Sequence, residues 1–391
     1  MQSLFTRIES GRKILAPLFD HVAIVQQFAQ KNLIFAVFAA IAVMHCRRLA
    51  RAAIFPHNVA LFSGGDCIMW FRNLQLYRLG RPFEMTPEEL EARLQANAFQ
   101  GCKRMDMLAT GWAPPLGRHG QQLVHAANGY IMICARKEEK IIPAGVVRQL
   151  LEDKIVEVEA AEGREIYRRE KLRMKEEIIV DLLPRALTRI SNQFAYIDVR
   201  QNLIVIDSAS PAKAEALVSQ LRTTLGRLPA TPVKSKQSLS GLMTRWLGGE
   251  QLPRDFELGG ECELRHPQPD GGVVSCKHQD LGASEVRNHV KQGKYAVKLA
   301  LLWKDRLSCV LHDDLSIKRL RFEDIVREAE SETEADDPVS RFDLDFSIMV
   351  LELAAFLPAL MTALGGEALP ETDVAAAPAR MATRGEDLEP A

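Results

Sequence analysis

The stretch from His125 to Pro143, HAANGYIMICARKEEKIIP, constrains the fold more than any other part of the chain. Asn128-Gly129 is a turn pair. Tyr130 to Ala135 follows as an unbroken run of β-forming and apolar residues, which reads as a buried strand. That strand emits five consecutive charges, Arg136, Lys137, Glu138, Glu139 and Lys140. Ile141, Ile142 and Pro143 then lead into a long helix, with proline suited to its first turn. Charges projecting from a rigid strand end suit an ionic partner, and they equally suit a solvated edge. The residues alone leave both readings open.

On either side of this stretch the pattern is α+β, with mixed sheets and long helices. From Phe71 the chain alternates apolar and polar residues and continues β-rich to Leu79, a strand. Thr86-Pro87-Glu88-Glu89 is a helix start with an N-cap, proline at N1 and acids behind it, predicting a helix to Ala98. Residues 143–183 read as two long charged helices broken at Gly163, and Pro184 ends them. Phe194–Ile197 and Leu203–Ile206 read as strands around a turn. Ser210-Pro211 opens a helix that Gly226 closes. Pro229 to Lys236 reads as a connector, which divides the body into parts 69–232 and 233–330. In the second part, Leu242–Leu247 and Ala283–Lys291 are helices, and Asp270-Gly271-Gly272 turns between short strands. A meander follows over Lys294–Trp303, Arg306–Leu311 and Ile317–Phe322. Residues 331–366 comprise an acidic linker and an apolar helix ended by Gly365-Gly366. Residues 367–391 have the composition of a disordered acidic tail.

Net charge is −1, which at first argues against a nucleic-acid partner, but the distribution is uneven. Residues 69–322 carry 39 Lys/Arg against 31 Asp/Glu, whereas residues 323–391 carry 4 against 17. A basic body with an acidic end permits binding to a polyanion. The seven cysteines are scattered, odd in number and free of any C-x-x-C, the pattern of a reduced cytoplasmic protein.

Residues 1–68 stand apart. The apolar run Leu33–Met44 is too short to span a bilayer, which takes roughly 20 residues. It lies late for a signal peptide and lacks a clear cleavage site. Gly64-Gly65-Asp66 can be encoded by a ribosome-binding sequence two codons before Met69. The expectation is that synthesis starts at Met69, with a targeting segment or an ordinary extra helix as alternatives.

The chain lacks a Walker motif, a dinucleotide fingerprint, H-E-x-x-H and G-x-S-x-G. Cys262, His266, Cys276 and His278 could supply metal ligands, but their spacing is wrong for a zinc knuckle, and unligated thiols and solvent-facing histidines are the simpler reading. Asp313-Asp314 and Asp343-x-Asp345 read as a β-turn and a helix start. The expectation is a protein without catalytic residues, metal or cofactor. Lys298, Lys304, Arg306, Lys318, Arg319 and Arg321 decorate the meander. Such residues contact phosphates without reading sequence, although a solvated surface or a protein-binding scaffold would look the same.

Read from Met69, the sequence resembles the recombination-associated RdgC family. The resemblance is carried by MWFRNLQLYRL at 69–79, GWAPPLG at 111–117, ANGYIMICARKEEKIIP at 127–143, LLPRAL at 182–187 and IDSASPAKAE at 206–215. KHQDL at 277–281, GKYAVKLALLW at 293–303, DDLSIKRLRF at 313–322 and RFDLDFSIM at 341–349 continue it in order. It implies a curved protomer forming a ring-shaped homodimer. The ring would encircle double-stranded DNA without sequence preference in the nucleoid and would restrain RecA-driven recombination and act in replication-fork repair. The implied gate residue is Leu187, where the family often has an aromatic; leucine fills such a pocket less fully. The implied DNA-contacting tip is Lys277, His278 and Gln279, with His278 standing where a second lysine is common. A neutral histidine removes one phosphate contact near pH 7. Lys137, Lys140, Lys318, Arg319 and Arg321 are further candidates for the ring lining, with Glu138 and Glu139 placed to neutralise the first two. A nucleoid scaffold that does not encircle DNA is the alternative, and no membrane association is expected.

Overall fold

A computed structural model of the chain describes residues 70–268, 270–326 and 337–368. The proposed upstream segment, the acidic linker between residues 327 and 336 and the tail from residue 369 lie outside the described residues.

The strands are β1 (Leu74–Leu79), β2 (Leu108–Ala113), β3 (Val124–Ala127), β4 (Tyr130–Ile141), β5 (Leu187–Asp198), β6 (Leu203–Asp207), β7 (Ala230–Pro232), β8 (Phe256–Arg265), β9 (Val273–Lys277), β10 (Tyr295–Trp303), β11 (Leu307–His312) and β12 (Ile317–Phe322). The α-helices among the described residues are α1 (Pro87–Gln95), α2 (Ala144–Glu162), α3 (Arg168–Leu182), α4 (Pro211–Leu225), α5 (Leu239–Gly248), α6 (Ser284–Lys291) and α7 (Pro338–Ala363). The protein is therefore α+β. All twelve strands belong to one sheet in the order β2-β4-β5-β6-β1-β12-β11-β10-β8-β9, with β3 beside β4 and β7 beside β1. Each of these strand pairings is antiparallel, so the mixed sheets expected from sequence are a single antiparallel one. The join is narrow. β1 meets β12 through Leu74 opposite Ile317, and this pair fuses what the sequence divides.

Strand alternation assigns each side chain to a side. On one side, Leu74, Leu76, Tyr130, Met132, Tyr196 and Val205 form a core with α5 and α7. Helix α7 runs across both halves of that core. Phe346 lies 5.3 Å from His125 and 6.3 Å from Tyr196, while Phe356 lies 5.5 Å from Trp303 and 6.4 Å from Phe256. Burying each phenylalanine is worth about 1.5–3 kcal/mol. By length and composition α7 could cross a membrane, but its stripe from Phe342 to Leu360 is buried against the sheet. On the other side, Ile131, Ile133, Ala195, Ile197, Ile204 and Ile206 pack against Leu90 and Leu94 of α1 and Ala214, Leu217, Val218 and Leu221 of α4. Beyond α1 and α4 this second side is open over β8 to β12.

Several elements form as their residues dictate. Thr86 and Glu89 exchange side-chain and backbone hydrogen bonds in a capping box at the start of α1. Gly163, at φ 66°, closes α2 and lets α3 return beside it, with Lys154 Nζ 2.9 Å from Glu177 Oε2. Asn128 and Gly129 take φ values of 54° and 83°, the left-handed pair that a two-residue hairpin requires. Other elements differ. The connector at 229–236 contains β7, which pairs with the end of β1. Pro143 sits at the N-cap of α2 rather than inside its first turn.

The largest departure is in the opening stretch. β4 does not stop at Ala135. It continues through all five charges to Ile141 and pairs residue for residue with β5, from Tyr130 opposite Asp198 to Ile141 opposite Leu187. Ladder hydrogen bonds use only backbone, so a polar sequence sustains them when its side chains find water or opposite charges. Glu139 stands opposite Arg189 and meets it in an ion pair. The result is a charged ribbon that extends past the core, with β2 along the other edge of β4 from Cys134 to Glu139.

Candidate nucleic-acid interface

The open side of β8–β12 is built by alternation around inward-facing apolar residues. Cys262, Leu264, Cys276, Leu299, Leu301, Cys309, Leu311, Ile317, Leu320 and Phe322 point into the α7 core. Their neighbours in sequence therefore point out. Lys277 follows buried Cys276, Lys318 follows buried Ile317, and Arg321 lies between buried Leu320 and Phe322. Among the described residues, none of these three cations forms an ion pair.

Arg319 reaches the same side by a backbone irregularity. The register between β11 and β12 shifts between Ser308 and Val310, and Arg319 takes a φ of 50°. Its backbone N–H faces Asn73 Oδ1 at 3.4 Å, and its guanidinium lies 2.6 Å from Glu261 Oε2. Glu261 is the register partner of Lys277, so one carboxylate brings Arg319 and Lys277 together. Lys298 is also on this face, bonded to Glu263, which accepts Arg265 as well. Glu263 is held below the usual carboxylate range by those two cations, Lys298 first. From sequence, Lys298 stands among the cations decorating the meander but not among the ring-lining candidates, and Arg265 is not singled out. The signal for Lys298 was present: it is the one charge in a strand otherwise apolar, next to inward-facing Leu299.

His278 and Gln279 leave the end of β9 in a turn. His278 has a φ of 53° and is exposed. Gln279 donates its backbone N–H to the Gly260 carbonyl at 3.2 Å and its side-chain Nε2 to Glu285 Oε2 at 3.0 Å. Its side chain is thus engaged with α6. Cys262 and Cys276 face each other across β8 and β9 and are buried, and burial with the neighbouring Cys276 thiol pushes Cys262 up to about 12. Both thiols point into the core, away from the exposed His278. Among the described residues, no three His, Cys, Asp or Glu side chains are grouped to hold a metal ion.

The ribbon candidates are arranged differently. Lys137 lies on the α4 side of the sheet, because Ile131, Ile133 and Ala135 of the same strand do. Lys318 and Arg321 share that side, since Ile317 pairs with Leu74 on the opposite one. Lys140 falls on the far side, and its ammonium donates to the Arg104 carbonyl. Lys137 Nζ is 2.9 Å from Glu139 Oε2. Glu139, shared by Lys137 and Arg189, is held below the usual carboxylate range by hydrogen bonds from both. Glu138 is likewise held low, first by the Cys102 backbone N–H at 2.7 Å. Leu187, at the end of the ribbon, is 79% exposed, and Ile141 opposite it is 45% exposed.

This arrangement coincides with a known sequence family over nearly all of the described residues. A family model described as "Putative exonuclease, RdgC" matches residues 69–367. The recombination-associated protein RdgC of Aeromonas hydrophila is 48% identical over 299 residues, covering 76% of this chain and 99% of that protein. Those of Tolumonas auensis and Proteus mirabilis are 46% identical over 299 residues and 41% identical over 301, covering 76% and 77% of this chain and 99% and 100% of theirs. With each relative aligned almost end to end and the matched span containing the ribbon, the open face and α7 alike, the chain belongs to the RdgC family of recombination-associated proteins.

Proposed function

We propose that the protein binds double-stranded DNA without sequence preference, through the open β8–β12 face, as a homodimer that closes around the duplex. The observation that carries the reading is the placement of Lys277, Lys318 and Arg321 on one side of one sheet, with none of them in an ion pair among the described residues. Cations on a sheet surface attract phosphates, and nothing in this face inserts into a groove to read bases. Lys137 lies on the same side and extends the surface, whereas Lys140 does not. The exposed pair Leu187 and Ile141 at the ribbon end is suited to the contact that closes the dimer. Binding of this kind, in the cytoplasm at the nucleoid and away from the membrane, would compete with RecA for duplex DNA during recombination and fork repair.

The test is a mobility-shift titration on two unrelated duplexes over a salt series. Equal affinities that fall steeply with salt are expected. Absent binding at low salt, or binding indifferent to salt, would remove the DNA reading in favour of a nucleoid scaffold. The proposed role is non-enzymatic. Incubating an end-labelled duplex with the protein and magnesium should leave it full length, and progressive shortening would establish the exonuclease named in the family description.

A further inference from the structure

The last described residues are fastened in a way that gives the chain a direction. Ser235 and Glu367 form an antiparallel bridge. Lys236 donates its backbone N–H to the Gly366 carbonyl at 3.0 Å, and Ala368 donates to the Lys234 carbonyl at 2.8 Å. From β1, Arg78 grips both carboxylate oxygens of Glu367, with Nε 2.8 Å from Oε1. The exit at Ala368 therefore points back along β7, whose strand partner among the described residues is β1. Past the start of β7 lies a groove of about 690 Å³, lined by Leu228 and Pro229 among others. We propose that residues 369–374 of this same chain dock into that groove.

The groove combines apolar surface with uncompensated positive charge. Leu79, Phe83 and Leu228 line it as nearly buried residues, and Met85 and Leu225 are half-buried beside them. Three arginines also line it. Arg222 is taken up by Glu215 and by the carbonyls of Leu228 and Ala230. Arg81 and Arg227 are exposed, and neither forms an ion pair among the described residues. Glu84 is the one acid among the described residues that line it. An occupant with an apolar side chain and acids close by would match both properties.

The sequence that follows Ala368 is such an occupant: Leu369, Pro370, Glu371, Thr372, Asp373 and Val374, with no lysine or arginine before Arg380. Continuing the Ser235–Glu367 register brings Pro370 opposite Pro232 and Val374 opposite Leu228, with Glu371 and Asp373 on the approach. The six residues span about 20 Å at roughly 3.3 Å each, the same run as from Lys234 back to Leu228. Neither proline carries an N–H, so the ladder ends at that pair and side chains must hold what comes after. Val374 supplies the apolar contact, and the two carboxylates supply partners for Arg81 and Arg227. A free peptide making these contacts would bind weakly, since exposed ion pairs are worth at most about 1 kcal/mol each. A tether of six residues raises the local concentration to the order of millimolar, which makes a weak contact sufficient and favours this segment over a foreign one. The family match ends at residue 367, so the docking belongs to this chain's own extension, and it stands independently of DNA binding.

The experiment places a photoreactive p-benzoylphenylalanine at position 374 of the full chain and maps its crosslinks by mass spectrometry. They should fall on residues 79–85 and 222–229 of the same chain. Arg81→Glu with Arg227→Glu should lower their yield about threefold or more, as expected when two exposed ion pairs become like-charge contacts. Adding Glu371→Arg and Asp373→Arg should restore the yield, which a variant that merely distorted the groove could not do. Both groove arginines are exposed, so these variants should fold, and unchanged far-ultraviolet circular dichroism checks this. Arg168→Glu with Lys175→Glu, an equal charge reversal on α3, should leave the yield unchanged. Crosslinks to the groove of a second copy, detected by mixing isotopically light and heavy chains, would assign the groove to a partner's tail and overturn docking within the chain. Crosslinks on the open β8–β12 face, or scattered over the surface, would overturn it as well. So would a yield that the arginine reversals leave unmoved or that the tail reversals fail to restore.

Discussion

The charged ribbon and the open β8–β12 face offer the same residue types on the same sheet, yet they differ in what each cation faces. In the ribbon, Lys137 and Arg189 share Glu139, and Lys140 is turned to the Arg104 carbonyl. On the open face, Arg319 and Lys298 are held by Glu261 and Glu263, but Lys277, Lys318 and Arg321 form no ion pair among the described residues. A cluster of five charges in sequence is thus the less available surface. Three cations spread over more than forty residues of sequence, Lys277, Lys318 and Arg321, form the more available one. Cross-strand register decides this, because it chooses each cation's neighbour.

The comparison presumes one cooperative body, and that premise carries the largest expected effect. Helix α7 joins the two halves through Phe346 at the Tyr196 end and Phe356 at the Trp303 end. Phe346→Ala and Phe356→Ala should each destabilise the protein by about 3–5 kcal/mol, since each removes a fully buried ring. In urea, each variant should still unfold in a single transition. Two separated transitions would show that the ribbon half and the open-face half are independent units.

The next effect divides the two regions directly. Replacing Lys277, Lys318 and Arg321 by glutamate should lower duplex affinity at least tenfold and reduce the salt slope by about 3. The corresponding pair in the ribbon, Lys137→Glu with Lys140→Glu, should reduce the slope by no more than about 1, because one of those lysines is on the far side. Equal losses in the two variants would mean that internal ion pairing does not set availability, and the comparison would fail.

Leu187→Asp probes the ribbon's apolar end. Its side chain is almost fully exposed, so protomer stability should change by less than about 0.5 kcal/mol. Dimer dissociation, followed by sedimentation, should rise about tenfold or more if the residue fills a partner's pocket. An unchanged dimer would place the contact elsewhere and leave the ribbon with a purely structural role.

The legibility of these regions from sequence differed for a physical reason. Elements with a local cause were readable: the Thr86 capping box, the Gly163 break, the Asn128-Gly129 turn and the meander strands. The extension of β4 through Arg136 to Lys140 was not, because β-structure there is imposed by β5, some fifty residues away. Five charges in a row carry no strand signal of their own. The bulge that turns Arg319 towards Glu261 was hidden for the same reason. Arg189, which stands opposite Glu139 in the ribbon, had no local signal at all, since only the β4–β5 register brings the two together. Recognisable family motifs located the interface region, but could not say which of its lysines were already engaged.

A pH effect of intermediate size separates the core beneath the ribbon's first strands from its charged end. Burial lowers His125, outweighing Asp343, whose Oδ1 lies 3.2 Å from Nε2, and burial likewise lowers His312, with Lys318 adding to it. A histidine whose folded value is depressed favours the neutral form. Stability is therefore full above the unfolded value of about 6.5 and is lost as pH falls from there towards the folded value. The melting temperature should drop on acidification through this window, and His125→Gln should flatten the drop. A melting temperature that rises on acidification would show that Asp343 outweighs burial.

The smallest effect is the most direct test of the comparison. Glu139 is the single carboxylate that engages both Lys137 and Arg189. Glu139→Gln removes its charge while keeping a side chain of the same size. The pair is solvent-exposed, so the fold should lose little, as surface ion pairs are worth at most about 1 kcal/mol. What changes is the field above the ribbon. Two cations become available on the same side as Lys318 and Arg321, and each can displace a counterion from the duplex. Affinity should therefore rise a few-fold and the salt slope steepen by about 1–2. Glu261→Gln should do the same on the open face by releasing Arg319, but by no more than about 1 unit of slope, because only one cation is released. If Glu139→Gln leaves slope and affinity unchanged while Glu261→Gln steepens the slope, the ribbon lies outside the DNA path. Its charges then serve to hold the strands together beyond the reach of the core.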